Sequence, residues 1–218
     1  MASLIEIELA KLKNAIIEIN NLAEIQVFEA MKFLLSEPIS EGKELKKTEN
    51  KIDKLDVKIE DICQSIFALQ QPVASDLRFI MSAMQISNEF EQIGDLAMGI
   101  IKKSKSVKEK HDLISKHYIA DLAKDVEQIL VKTKYCFENL DALSIEEVFS
   151  MNKIIRNKSE KAIQDIIAEM KENSKAVVSG THLVMILKHM ERISEHSRNV
   201  VESVYFMINA KIIKNESK

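Results

Sequence analysis

Glu91 and Asp95 stand one helical turn apart in the stretch Phe90-Glu91-Gln92-Ile93-Gly94-Asp95. The pattern returns one hundred residues later as Met190-Glu191-Arg192-Ile193-Ser194-Glu195. Residues four apart in a helix lie over one another, so each copy stacks two carboxylates on one face. Two close carboxylates are costly unless a cation or a basic group stands beside them. The chemistry such a pair suits is the binding of a hard cation, which takes oxygen ligands. The surrounding apolar positions keep the same register, Ala83 with Leu183, Ile86 with Ile186 and Ile101 with Val201. A repeat at that spacing means two copies of one structural unit.

A second acidic tract can add to the first pair. Glu49, Asp53, Asp56 and Glu60 form two further pairs at helical spacing, and if that face meets Glu91 and Asp95, four or more oxygens become available to one ion. The alternative is a solvated face balanced by Lys51, Lys54 and Lys58. The matching part of the second half reads Asn152-Lys153-Ile154-Ile155-Arg156, with Ile155 set against Asp53, so its acids are largely gone. His182, His189 and His196 recur every seven residues. They fall on the opposite side of their helix from the glutamates and are expected at the surface or its flank. No acid precedes any histidine by three or four residues, so the Glu-x-x-His pairing of di-iron carboxylate bundles is absent. Cys63 and Cys136 are isolated and read as reduced core residues. No glycine-rich phosphate loop and no Ser-His-Asp arrangement occurs.

Helices must carry these residues. Four Gly and two Pro in 218 residues leave few places to break a regular element. The breakers and the 3.6-residue periodicity predict helices over 4–36, 44–70, 75–105, 110–140, 144–172 and 177–211. The second stops before Pro72, Ser75 caps the third, and Ser144 with Glu147 caps the fifth. Phe79, Ala83, Ile86, Phe90, Ile93, Ala97 and Ile101 form the core stripe of the third helix, with Glu91 and Asp95 off its edge. Leu183, Ile186, Met190, Ile193, Ser197, Val201, Val204 and Ile208 do the same in the sixth, leaving Glu191, Glu195 and Glu202 in line beside it. Gly94 costs about 1 kcal/mol against Ala inside a helix, so its missing side chain is expected to let a backbone or an ion approach. The fold class is all-α: a tandem repeat of two antiparallel three-helix bundles, residues 1–105 and 106–218.

Composition agrees. Charged residues make up 30% and apolar ones 46%, the balance of long amphipathic helices. A formal charge of −3 argues against a nucleic-acid or anionic-membrane footprint. No apolar run is long enough for a membrane span, and the first residues have neither a basic nor an apolar leader region. A cytoplasmic protein is expected.

The stretch Pro72-Val73-Ala74-Ser75-Asp76-Leu77-Arg78-Phe79-Ile80, followed by the Glu91-to-Asp95 motif and its second copy, resembles the PhoU family of phosphate-uptake regulators. The resemblance covers nearly the whole chain. It implies a tandem of three-helix bundles, commonly a homodimer, with metal at the paired acidic motifs in some members. Carried over by position, Glu91 and Asp95 would be ligands in the first repeat and Glu191 and Glu195 in the second, with Asp53 matching a recurrent family acid. The ion would be divalent or ferric: iron, zinc, manganese or magnesium. Asp76 and Arg78 match an element that is structural or faces a partner. The implied role is a non-catalytic adaptor between the ATPase of a phosphate ABC transporter and the sensor histidine kinase of the phosphate regulon, acting on transcription negatively and indirectly. Gln92, Ser194 and Glu195 depart from the family's usual Arg, Gly and Asp. Those departures leave room for a divergent paralogue serving another transporter. Two other classes are a carboxylate-metal helical enzyme or storage protein, and a helical dimer module without metal.

Overall fold

Amphipathic stretches this long bury their stripes only by lying against one another, and they do so here. The structure, a computed structural model, describes residues 3–35, 43–107 and 110–213. The helices are α1 (Leu4–Leu35), α2 (Lys43–Leu69), α3 (Ala74–Ser104), α4 (Lys110–Lys116), α5 (Ile119–Asn139), α6 (Ala142–Glu172) and α7 (Val177–Asn209), with a short 3-10 turn at Ser174–Ala176 before α7. No strand occurs among the described residues. The expected loop between the first two helices lies outside them, as does part of the expected junction between the third and fourth.

The first unit packs α1, α2 and α3; the second packs α5, α6 and α7. Neighbours within each unit run antiparallel. Asp56 on α2 meets Ser87 on α3 while Cys63, later on α2, meets Ile80, earlier on α3. Lys132 on α5 likewise meets Glu147 on α6, while the earlier Asp125 meets the later Lys158. The two units join along the antiparallel pair α3 and α7, the most extensive helix–helix contact, and again where Lys134 of α5 reaches Glu24 of α1 at 3.2 Å. One hydrophobic core runs through both, including Ile16, Ile19, Val27, Ile59, Phe90 and Ile93 from the first half and Ile129, Phe137, Ile155, Leu187 and Met190 from the second.

Three expectations are corrected. The fourth helix is not continuous: it breaks between Lys116 and Ile119, where Tyr118 adopts φ 53°. A tyrosine in the left-handed region needs surrounding structure to hold it. Here His117 supplies that hold: buried at the break, it meets Glu169 of α6 at 2.8 Å, and Lys116 meets the same carboxylate oxygen at 3.0 Å. The lysine first and the histidine second hold that carboxyl below its usual range. The third helix starts at Ala74 after an extended Val73 with no side-chain cap, so Ser75 lies inside it. At α6 the cap is Asp141, which accepts from the amides of Leu143 and Ser144 and from the Ser144 hydroxyl. Asp141 caps three donors at once where Ser144 offers a single oxygen.

Candidate functional site

The α2–α3 seam brings the expected acids together. Asp53 and Asp56 project from α2 and Glu91 and Asp95 from α3. Asp56 accepts a 2.5 Å hydrogen bond from the Ser87 hydroxyl, and Glu91 accepts one of 2.7 Å from the Gln92 side-chain amide. None of the four pairs with a lysine or arginine among the described residues, and Lys51, Lys54 and Lys58 offer no such balance. The electrostatic result follows. Burial, then the charges of Asp95, Asp56 and Asp53, raise the Glu91 carboxyl, while the Gln92 bond pulls it back in part. Burial and then Asp95 raise Asp53.

Gly94 has a packing role here. A Cβ at that position would stand 3.1 Å from Ile52 Cδ1, so the bare backbone lets α2 close on α3. Its carbonyl also accepts from the buried side-chain amide of Gln26 on α1, at 3.1 Å. What approaches is therefore a neighbouring helix and a side-chain amide. Gln26 was invisible to sequence reasoning, because a polar residue on an apolar stripe carries no sign of its partner.

The second motif is built differently. Asn152 occupies the place of Ile52 and Ser194 that of Gly94, and the two side chains bond at 2.9 Å. That contact fixes the register at one hundred residues. Ile155, wholly buried, is then not the counterpart of exposed Asp53; Lys153 is, and Arg156 answers Asp56. Glu191 is buried, not off the core edge, and Lys188 meets it at 2.6 Å. Glu195 is half-buried and has no ion pair among the described residues. Four acids in the first repeat thus face two acids and two bases at the same positions of the second, with a further lysine on Glu191.

Among the described residues no three His, Cys, Asp or Glu side chains converge closely enough to hold a metal ion as they stand. The test of fit is then one of donor chemistry. Asp53, Asp56, Glu91 and Asp95 offer hard oxygens without a counter-charge, which suits a hard cation. Glu191, already paired with Lys188, does not, and the positions answering Asp53 and Asp56 carry Lys153 and Arg156 in place of oxygen donors.

The three histidines come out half-buried, on the flank of α7. His196 Nδ1 meets Glu89 Oε2 at 2.6 Å across the α3–α7 seam, where Asn199 donates to the same oxygen at 3.1 Å. His189 packs its ring on Gly99, and burial, with Arg192 and Lys103, lowers its pKa. His182 is half-buried, its Nδ1 without a hydrogen bond. His189 and His196, which the helical wheel placed away from the glutamates, face the other repeat. Asp76 and Arg78 both come out half-buried in the first turns of α3, and the Arg78 Nε is buried without a hydrogen bond.

A family model described as the PhoU domain matches residues 16–104 and 119–204. A curated relative from Clostridium acetobutylicum, a phosphate-specific transport system accessory protein PhoU homolog, is 28% identical over 210 residues, 94% of each chain. Its counterpart from Pseudomonas aeruginosa is 22% identical over 209 residues, 95% of this chain and 86% of that one. The crystal structure of PhoU from Pseudomonas aeruginosa superposes with a TM-score of 0.85 at 22% identity, over 94% of this chain and 99% of that one. That of a phosphate transport system regulatory protein PhoU from Streptococcus pneumoniae gives 0.86 at 22% identity, over 96% and 99%.

Proposed function

The chain belongs to the PhoU family, and from that premise we propose that it is a non-catalytic cytoplasmic regulator of phosphate uptake and phosphate-regulon signalling. It acts as a helical adaptor, binding the ATPase of a phosphate ABC transporter and a sensor histidine kinase, and works as a homodimer. The observation that carries this reading is the match of both repeats to the family, with relatives titled as phosphate transport accessory proteins. Among the described residues no helix is long and apolar enough to cross a membrane, which agrees with action from the side of a transporter rather than within it.

In this reading a divalent or ferric cation binds at the first acidic motif, held by Glu91, Asp95 and Asp53, with Asp56 adjoining. When bound, the ion supplies positive charge that relieves the repulsion among these carboxylates and ties α2 to α3. Glu91 and Asp53 would give up their raised pKa to it. The Ser87 hydroxyl holds Asp56 in place.

The test is a pull-down of the purified full chain against the transporter ATPase and the sensor kinase of its own host, with and without chelator. Capture of either, lost on chelation, supports an adaptor tuned by a cation. Capture that ignores chelator retains the adaptor and removes the cation from it. Capture of neither overturns the reading in favour of a divergent paralogue.

A further inference from the structure

At the end of the molecule where α3 begins and α7 ends, an open groove of about 580 Å³ lies between the two helices, with the chain following α7 as its third wall. We propose that this groove docks a basic amphipathic helix of a partner protein, its apolar face on Met81, Met84 and Phe206 and its Lys or Arg flank on Glu60 and Glu202. The inference rests on the adaptor reading and names the chemistry of the surface a partner would present.

Two features define the occupant. The first is an apolar floor too exposed to be core: Met81 is 47% exposed and Ile212, in the third wall, 74%. Methionine suits such a surface because its unbranched side chain re-packs around different partners. Met81 and Met84 stand three apart on α3, and Leu77, 40% exposed, continues the row one turn earlier. A row at that spacing presents about 10 Å of apolar ridge along the helix axis. Leu77, Met81 and Met84 fall at i, i+4 and i+7, within the anchor spacing by which a helix seats in a groove.

The second feature is charge. The lining holds three carboxylates, Glu60, Glu89 and Glu202, and no lysine or arginine. Glu89 is engaged by His196 and Asn199 across the seam. Glu60 has no ion pair among the described residues. Glu202 meets Arg198 Nε at 3.2 Å, but the two atoms are buried out of hydrogen-bonding alignment. Burial first, and Glu89's charge in addition, raise the Glu202 carboxyl, while Arg198 offsets part of this. A cation from outside answers the mutual repulsion of Glu89 and Glu202 and gives Glu60 a partner. An acidic or neutral occupant does neither.

The experiment is fluorescence anisotropy with a labelled 15-residue peptide carrying leucines at i, i+3 and i+7 and lysines on both flanks, against the full chain. A second peptide replaces every lysine by glutamate. Variants are Glu60→Lys and Met81→Ser, with Glu146→Lys, exposed on α6, as the charge control; circular dichroism checks that each is folded. The lysine peptide is expected to bind saturably and at least ~10-fold tighter than the glutamate peptide, and the two groove variants to weaken it by ~5-fold or more. Glu146→Lys should leave it within about twofold. No saturable binding, equal binding of the two peptides, or groove variants that behave as the unmutated chain would overturn the inference. Failures separate as follows. Groove variants that still capture the transporter ATPase or the kinase spare the adaptor and refute the groove. A chain that binds the lysine peptide but captures neither protein spares the groove and refutes the adaptor.

Discussion

The same substitution in the two repeats is expected to act with opposite sign. Glu91→Gln removes a charge that three other carboxylates oppose and that no base answers. Glutamine keeps the acceptor used by Gln92. A carboxylate pair 4 Å apart in water repels by about 1 kcal/mol, less at longer range and in salt. For a half-exposed group facing several such neighbours, the relief comes to ~0.5–1 kcal/mol after solvent screening. Glu191→Gln instead removes the partner of Lys188 at 2.6 Å from a buried position. A charge-assisted bond contributes ~1.5–3 kcal/mol; because Lys188 regains water and glutamine keeps an acceptor, a loss of ~1 kcal/mol remains. In a protein of this size 1 kcal/mol moves Tm by ~2–4 °C. The assay is thermal melting by circular dichroism in low salt with chelator present: Glu91→Gln melts above the unmutated chain and Glu191→Gln below it. The pH dependence follows from the sign of the shift. Glu91's folded pKa lies above its ordinary 4.5, so the penalty on its charge builds as pH rises from 4.5 through the folded value and is full beyond it. The advantage of Glu91→Gln is therefore full above the folded pKa and fades as pH falls, to be nearly gone by about pH 3, more than a unit below 4.5, where both states are protonated. Shifts of the same sign in both variants, or an advantage for Glu91→Gln that persists at about pH 3, would refute the reasoning.

Two further outcomes test the packing. Gly99→Ala puts a Cβ 2.9 Å from His189 Nε2 at the α3–α7 seam, a clash that should outweigh the helical gain by ~1 kcal/mol. Gly180→Ala meets Met170 Sδ at 2.7 Å and Cγ at 2.8 Å, with Ile166 Cγ2 at 3.2 Å; the flexible methionine near the end of α6 can swing aside, so its melting temperature should stay within ~2 °C; equal effects in the two variants would contradict the seam packing. Burial pushes the thiols of Cys63 and Cys136 up to about 12, with the charges of Glu60 and Asp141 adding respectively. Neither should react with a thiol reagent at pH 8 until denaturant is added, and prompt labelling of the folded chain would show the core to be open.

Periodicity and punctuation carried the helices because they are local: an apolar stripe, a proline and a repeat can each be read without knowing the neighbour. What periodicity missed depends on partners. The break at Tyr118 has no glycine or proline to announce it, and His117 and Glu169, which hold it, are 52 residues apart. The His189–His196 stripe looked like surface because a single helical wheel shows one apolar face. α7 has two neighbours, its own bundle and α3, and the second contact is polar: His196 to Glu89, Asn199 to Glu89, Ser203 to Gln85. Ser194 and Asn152 each look like weakened core until they are seen bonded to one another. The acids of the first repeat were legible as a cluster, since two helices with pairs at helical spacing need only pack to bring them together. Their lack of counter-charge was not legible, for Lys51, Lys54 and Lys58 lie within a turn in sequence yet pair with none of them.

The divergence of the copies bears on why the acids are there at all. Both repeats had to close two helices at one point. The second does so with a side-chain hydrogen bond and settles its charges internally, through Lys188 on Glu191. The first does so with a bare glycine against Ile52, and leaves Asp53 and Glu91 in a field that raises both. The second solution shows that the fold does not require the first. Uncompensated carboxylates at a seam cost stability, and the proposed function assigns them a role outside the fold. In the proposed reading a cation would offset that cost at the first motif, whereas Glu191 already has its positive partner in Lys188.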